Sequence, residues 1–330
     1  MIRGLVIASS LFWSLGVFGK DILISQKSHR KLMGTTFEII LVAPQSLQAS
    51  QAMEEALDQI ERVDIMMSEW KPDSMLSNVN QNAGTKPVKV SDELFEVLKT
   101  SWDIAQETNG AFDPTWASLW GLWKFKGQTK IPSKEEVDQR LAFVDWKNLI
   151  LNEKDQTVYL AKKGMMLGLG AIAKGYALQK TGDELKKRGF TNFLLNAGGQ
   201  VLAHGKNLKD SWKIGVQHPR MPRGQMLGAL SIKNESVSTS GDNEQFFIEN
   251  GVRYHHILDL KTGFPAKGVQ SATVVHRDAM LADAYSTVCF IVGYEKCILL
   301  AKKHNFDVLL VDDNGKINMT SKMKKKIKLF

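Results

Sequence analysis

One long apolar stretch, residues 280–303, lies inside a half of the chain that otherwise reads as short strands, and this most narrows what the chain can become. A helix of that length runs for about 36 Å. The strands at hand are 212–216, 227–232, 254–258, 271–275 and 308–311, each rich in apolar and β-branched residues. Together they make a strand-rich second half interrupted by one long helix.

The first half supplies further helices and an opening strand. Residues 33–42 read as a strand, although their apolar residues alternate poorly. After Pro44 and Ser46 an apolar stripe follows: Met53, Ala56, Leu57, Ile60, Val63 and Met67 recur at three- and four-residue steps. Residues 71–88 read as a loop. Ser91 caps a second helix that buries Leu94, Leu98, Trp102 and Ala105. Residues 131–141 form a polar surface helix, and Ile150, Val158 and Leu160 a hairpin around the turn 152–156. Phe112, Trp116, Trp120 and Trp123 sit in a segment broken by Gly110, Pro114 and Gly121. They either close a core or wall a groove for a flat ligand.

The ends and the charge set further limits. Arg3 followed by the apolar residues 5–18 has the form of an export signal or an N-terminal anchor over residues 1–19. This places the body in the periplasm, with attachment to the inner membrane left open. No later segment is expected to cross a bilayer. The two cysteines, Cys289 and Cys297, fall on one predicted helix about 12 Å apart along its axis, too far for a disulfide. Two free, buried thiols are expected, and a cysteine-rich zinc site is excluded. Part of the formal net charge of +8 lies in the tail 319–330, at Lys322, Lys324, Lys325, Lys326 and Lys328. Such a run reads as a solvated end or a surface touching acidic lipid. No zinc finger, RNP-like strand or recognition helix accompanies it, so nucleic acid is not expected as a partner.

Three groups of residues point to chemistry. Asp283 and Thr287, four apart on a helix, share a face and offer hard oxygen, which suits Mg²⁺. The structural alternative is a threonine bonded back to the carbonyl of Asp283. Next, His255-His256-Ile257-Leu258-Asp259 leads into Thr262-Gly263. On a strand one histidine is buried while its neighbour is open, so His256 can serve as acid or base while Asp259 starts a turn. Finally, Gly168-Leu169-Gly170-Ala171, Asn196-Ala197-Gly198-Gly199 and Thr239-Ser240-Gly241-Asp242 are glycine loops able to turn N–H groups towards phosphate. The first precedes a helix that carries Lys174. The dinucleotide fingerprint is missing, since the glycines stand at 168, 170 and 175, so a Rossmann domain is rejected.

In order along the chain, these residues resemble one family. Met33-Gly34-Thr35, Ser68-Glu69-Trp70 through Asn80, Gly110-Ala111-Phe112-Asp113-Pro114-Thr115 and Leu169-Gly170-Ala171-Ile172-Ala173-Lys174-Gly175-Tyr176 are similar to motifs of the ApbE-like flavin transferases. So are Asn196-Ala197-Gly198-Gly199, Ser238-Thr239-Ser240-Gly241-Asp242, His256-Ile257-Leu258-Asp259 and Ala282-Asp283-Ala284-Tyr285-Ser286-Thr287. The likeness covers residues 33–293, inside a domain placed at 31–312. It implies a mixed α/β fold of two closely packed lobes with FAD held between them. It also implies Mg²⁺ on Asp283 and Thr287, with the carbonyls of Ala171 and Ser286. Met33 would lie near the flavin. Lys174, Asn196, Gly198, Gly199, Ser240, Gly241 and Asp242 would contact the dinucleotide. His256 would be the catalytic base, with Asp259 orienting it or placing its loop.

The reaction implied is Mg²⁺-dependent transfer of FMN from FAD to a threonine of an acceptor subunit in a membrane or periplasmic redox complex, releasing AMP. The chain departs from the family pattern at Gly168, Gln200 and Gln245, where aspartate, an acidic residue and arginine respectively are common. Those departures keep two other functions in view, an FAD-holding carrier or redox protein and an FAD pyrophosphatase. A protein-binding module without catalysis is a weaker reading.

Overall fold

Along Thr35–Pro44 the apolar side chains divide between two cores: Phe37, Ile39 and Leu41 join the larger, Ile40 and Val42 the smaller. A strand covered on both faces reads as a continuous apolar run, which is why the alternation is poor there. The same division recurs at Leu195 and Leu194, Leu202 and Val201, Val274 and Val275, and Leu310 and Leu309.

The computed structural model describes residues 22–330 apart from Lys126 and Gln128, so the leader at 1–19 lies outside the described residues. Its centre is an eight-stranded sheet in the order Leu23–Leu32, Thr35–Pro44, Phe193–Ala197, Gln200–His204, Glu235–Gly241, Val269–His276, Asp307–Asp312 and Ile317–Met319. Every neighbouring pair is antiparallel. The α-helices are α1 (Leu47–Met67), α2 (Met75–Gln81), α3 (Asp92–Glu107), α4 (Lys134–Leu141), α5 (Ala173–Lys187), α6 (Ala279–His304) and α7 (Ser321–Lys326). Helices α1, α5 and α6 cover one face of the sheet with the larger core. A second sheet, Ile327–Leu329, Met226–Ile232 and Trp212–Gln217, covers the other with the smaller core. This is the mixed helix-and-sheet fold that the family likeness implies.

The larger core also takes in Leu76, Leu94, Leu149, Val158 and Met165, so the segments on either side of α5 share one interior. A third cluster gathers Leu119, Trp123, Phe247 and Leu258, with Tyr254 and Phe264 against it. Trp123 therefore closes a core, its indole N–H donating to the Gly263 carbonyl at 3.0 Å. Trp120 packs edge-on against Trp70 at the surface, 4.4 Å between ring centroids.

Several expectations are corrected. Residues 71–88 contain α2, whose cap Ser74 accepts from the Ser77 N–H at 2.9 Å while Leu76 and Val79 are buried. Ahead of the expected opening strand, the polar residues 25–31 add an edge strand to the main sheet that was not expected, held from outside by Arg30, which donates to Asp58 at 2.8 Å and Glu61 at 2.7 Å on α1. The strand expected at 254–258 is two pieces, Val252–His255 and Leu258–Asp259, parted at His256 and Ile257. The tail 319–330 is ordered, although Lys322, Lys324, Lys325 and Lys328 stay exposed: α7 buries Met323 completely, Ile327–Leu329 adds to the second sheet, and Lys326 binds Asp307 at 3.0 Å and Glu235.

The largest correction concerns α6. Gly293 breaks the helix with φ 75° and ψ 175°, so the rise of a straight helix does not separate the cysteines. Cys289 and Cys297 approach to 4.9 Å between Cα atoms and form a disulfide; neither thiol is free. Helix α6 also passes the length and hydropathy test of a membrane span, contrary to expectation. Its first half is instead core, burying Ala282, Ala284, Val288 and Phe290 beside the charged Asp283.

Candidate functional site

The site begins where α5 crosses α6. A Cβ on Gly175 would lie 2.3 Å from the Ala279 carbonyl oxygen and 2.7 Å from Asp283 Cβ, so only glycine permits the approach. The first-turn N–H groups of a helix need outside acceptors. The cap position of α5 is Ile172, which has none to offer. Asp283 supplies one from α6, its Oδ2 accepting from the Gly175 N–H at 2.9 Å. This carboxylate is 5% exposed and has no ion-pair partner among the described residues.

Hydroxyls gather beside it. Ser240 Oγ lies 2.8 Å from Ser286 Oγ and 3.1 Å from Thr287 Oγ1, while Ser238 Oγ lies 3.2 Å from Ser286 Oγ. Ser286, rather than Thr287, bonds back to the Asp283 carbonyl, at 2.8 Å. The Thr287 hydroxyl is thus turned to Ser240 at the half-buried edge of the cluster. Asp283, Ser286 and Thr287 therefore converge with Ser238 and Ser240, and the glycine loop expected at 239–242 is instead, up to Gly241, the strand Glu235–Gly241 of the central sheet. Among the described residues no group of three His, Cys, Asp or Glu side chains could hold a metal. One carboxylate with hydroxyl and carbonyl oxygens is foreign to zinc and fits Mg²⁺.

Gln200 and His256 carry buried polar atoms without partners. Gln200 is 4% exposed, and neither Oε1 nor Nε2 has a hydrogen-bond partner. Each such buried group costs about 1–3 kcal/mol when left unpaired. His256 Nδ1 is also buried and unpartnered. Burial, then the neighbouring His255, pushes the His256 imidazole down to about 4, so it is neutral near pH 7. Its backbone N–H is fixed to the Gln245 carbonyl at 3.1 Å.

The other predicted residues fall as follows. Lys174 donates to the Gly170 carbonyl at 2.8 Å and sits within electrostatic reach of His256. Asn196 Oδ1 accepts from the Gly199 N–H at 3.0 Å, closing a tight turn in which Gly198 and Gly199 have φ of 63° and 102°. Gly198 abuts Thr35, where a Cβ would lie 2.2 Å from Oγ1, so this turn and the Met33-Gly34 turn lie side by side. Asp259 Oδ1 accepts from the Lys261 N–H at 3.0 Å, and its carbonyl takes the Gly263 N–H at 2.8 Å. It places the loop, and no hydrogen bond joins it to His256 among the described residues. Asp242, 4% exposed, is engaged by Arg220 through two bonds of 2.6 and 2.7 Å. The Gly241-Asp242 stretch is thereby held rigid, with the carboxylate turned to arginine.

Of three further residues at the site, Arg220 had no readable signal in the sequence, Glu69 stood only inside a family motif, and Trp116 only among the aromatics of residues 112–123. Arg220 lies far along the chain from the aspartate it grips. Glu69 is a half-buried carboxylate, its Oε1 3.8 Å from where a Cβ on Gly170 would be. Burial raises its titration above the ordinary carboxylate range, against the pull of backbone N–H groups and Lys174. Trp116 explains Gly168: a Cβ there would meet its ring at 2.8 Å, and its indole N–H donates to the Gly168 carbonyl at 2.9 Å. The indole ring fills the place a side chain at 168 would need.

Fold and site together define an α+β protein with hard-oxygen donors and glycine turns on the helical face of an antiparallel sheet, a chemistry suited to phosphate groups. The chain belongs to the ApbE family, whose model matches residues 33–310. It is 31% identical to an FAD:protein FMN transferase of Klebsiella pneumoniae, over 88% of this chain and 90% of that protein. It is equally 31% identical to one from Haemophilus influenzae, over 98% and 96%. The crystal structure of the ApbE protein from Thermotoga maritima superposes with a TM-score of 0.84 at 32% identity, covering 92% of this chain and 99% of that one. The flavin transferase ApbE from Vibrio cholerae gives 0.82 at 28%, covering 92% and 100%.

Proposed function

We propose that this enzyme moves FMN from FAD to a threonine hydroxyl of an acceptor protein, releasing AMP, in a Mg²⁺-dependent reaction. Family membership supports the FAD:protein FMN transferase activity. The observation that carries the chemistry is the oxygen-only cluster of Asp283, Ser286, Thr287 and Ser240, together with a neutral His256 whose Nδ1 has no partner. Asp283 and Thr287, with the carbonyls of Ala171 and Ser286, would hold Mg²⁺, which when bound neutralises charge on the pyrophosphate.

The chain's own residues do the rest. Turns at Met33-Gly34 and Asn196–Gly199 border the flavin half, and Lys174 adds a point charge at the phosphate end of the loop before α5. The acceptor hydroxyl attacks the FMN phosphorus. A new P–O bond forms to threonine, the P–O bond to AMP breaks, and the hydroxyl proton passes to the His256 imidazole. Because burial keeps that imidazole unprotonated at neutral pH, its lone pair is available without a partner to deprotonate it. Asp259 contributes by holding the loop that follows.

We place the enzyme in the periplasm, acting on a subunit of a membrane or periplasmic redox complex. The Cys289–Cys297 disulfide supports an oxidising compartment. The test is to incubate the folded protein with FAD, Mg²⁺ and a threonine-bearing acceptor. Flavin on the denatured acceptor together with AMP supports transfer. AMP with free FMN makes the protein a pyrophosphatase, and retained FAD without AMP makes it a carrier.

A further inference from the structure

The orphaned amide of Gln200 is a buried polar group that the reaction outlined above does not use. Strand pairing shows which way it faces. Across the hairpin Gln200 stands opposite Ala197, and two residues on Leu202 stands opposite Leu195; Ala197, Leu195 and Leu202 all belong to the core beneath the helices. On its other side Val201 pairs with Val237, so one step further in the same register sets Gln200 beside Ser238. Ser238 and Ser240 are the two side chains with which that strand reaches Ser286 and Thr287. Gln200, Ser238 and Ser240 therefore form one polar patch on the face beneath the helices, opposite the turn of α6 that begins at Asp283. The two serines are satisfied, and Gln200 is not.

The chemistry of an amide narrows what would satisfy it. Nε2 only donates and Oε1 only accepts. A phosphate oxygen can take the Nε2 proton, yet it has no proton to return to Oε1. A water bound to a cation has one, and such water is held at a fixed place. Resting on the Mg²⁺ assignment above, we propose that Gln200 recognises the hydrated cation together with the pyrophosphate, accepting from a metal-bound water at Oε1 and donating to a phosphate oxygen at Nε2. Gln200 is thus a positioning residue that makes the site prefer the Mg²⁺-loaded dinucleotide over free FAD.

The test uses Gln200→Leu, nearly isosteric and without polar atoms, on the full chain. Flavin fluorescence reads FAD affinity in EDTA and the Mg²⁺ concentration giving half-maximal binding at fixed FAD; melting reads the apo protein. Loss of one such bond corresponds to ~tenfold weaker half-saturation by Mg²⁺. FAD affinity in EDTA is expected to fall by less than the Mg²⁺ midpoint shifts, since only the phosphate contact is lost there, and the apo melting temperature to hold or rise because two orphaned atoms are gone. An unchanged Mg²⁺ midpoint overturns the proposal, as does an equal loss with and without Mg²⁺. Should the leucine variant fail to fold, Gln200→Glu keeps the acceptor and adds charge. It should bind FAD more weakly in EDTA yet need no more Mg²⁺ than the parent, and a higher Mg²⁺ requirement overturns the proposal. A parent protein indifferent to Mg²⁺ removes the metal assignment itself, and this inference with it; a sensitive parent matched by Gln200→Leu removes only the role of Gln200.

Discussion

His256 owes its behaviour to where it is held, between two short strands and under enough protein to stay neutral. Its folded-state value falls from 6.5 to about 4, so its contribution to stability is whole above 6.5 and is lost as pH falls through that interval towards 4. His256→Gln is expected to flatten the melting temperature across the same interval, as followed by thermal denaturation at several pH values. The acid limb of kcat/KM for flavin transfer should correspondingly fall near 4 rather than 6.5. A second prediction at this scale concerns Gly168. Gly168→Ala forces a methyl into the Trp116 ring and is expected to destabilise by about 1–3 kcal/mol in urea denaturation. The same substitution beside Trp116→Phe should cost less, because the smaller ring yields. The oxygen donors were legible because Asp283 and Thr287 are spaced to share a helical face. Gln200 stood out only as a departure from a pattern. Its orphaned state depends on what three other strands and α6 place around it, and no local spacing encodes that.

Among the elements, α6 carries the clearest consequences. Its first half presents Asp283, Ser286 and Thr287, and its second half is tied back by the disulfide across the Gly293 break. A loop of 8 residues closed by a disulfide gains about 2.5 kcal/mol in the chain-entropy description. Reduction under denaturant, or Cys297→Ser, is expected to lower stability by that order, read from the urea midpoint. Gly293→Ala should cost a further ~1–3 kcal/mol, because its backbone conformation is open essentially to glycine alone. The helix was readable from its apolar run. Its interruption was not, because one glycine in a long helix is ordinarily tolerated, and the rise of an unbroken helix then wrongly kept the cysteines apart. Helix α2 was missed for a related reason: seven residues are too few to show a period, and only the Ser74 cap announces it.

For the whole molecule, the two faces of the central sheet have different tasks. The helical face builds the site, whereas the opposite face is closed by a small sheet whose last strand is the C-terminus. Removing residues 320–330 strips out the fully buried Met323 and an edge strand together. A loss of about 2–5 kcal/mol is expected from the methionine alone, visible as a lower melting temperature. The basic character of this segment had suggested a free tail, yet Lys326 is spent on Asp307 and Glu235. Composition showed the charge but could not show its partners, which come from distant strands. Fold class came with the family likeness of the motifs; the strand-rich half and its helix were legible as elements, while their arrangement around one sheet depends on pairings between distant strands.

The most direct measurement is Asp283→Asn assayed for AMP release and acceptor flavinylation across Mg²⁺ concentrations. Asparagine keeps an oxygen for the Gly175 N–H and removes only the charge, so α5 and α6 stay docked. The variant is expected to fold, and at limiting Mg²⁺ to release AMP and label the acceptor at least ~tenfold more slowly, as loss of a charged contact implies, with partial recovery when Mg²⁺ is raised. Parental rates at limiting Mg²⁺ would show that the carboxylate at the helix crossing holds no cation and that the chemistry lies elsewhere.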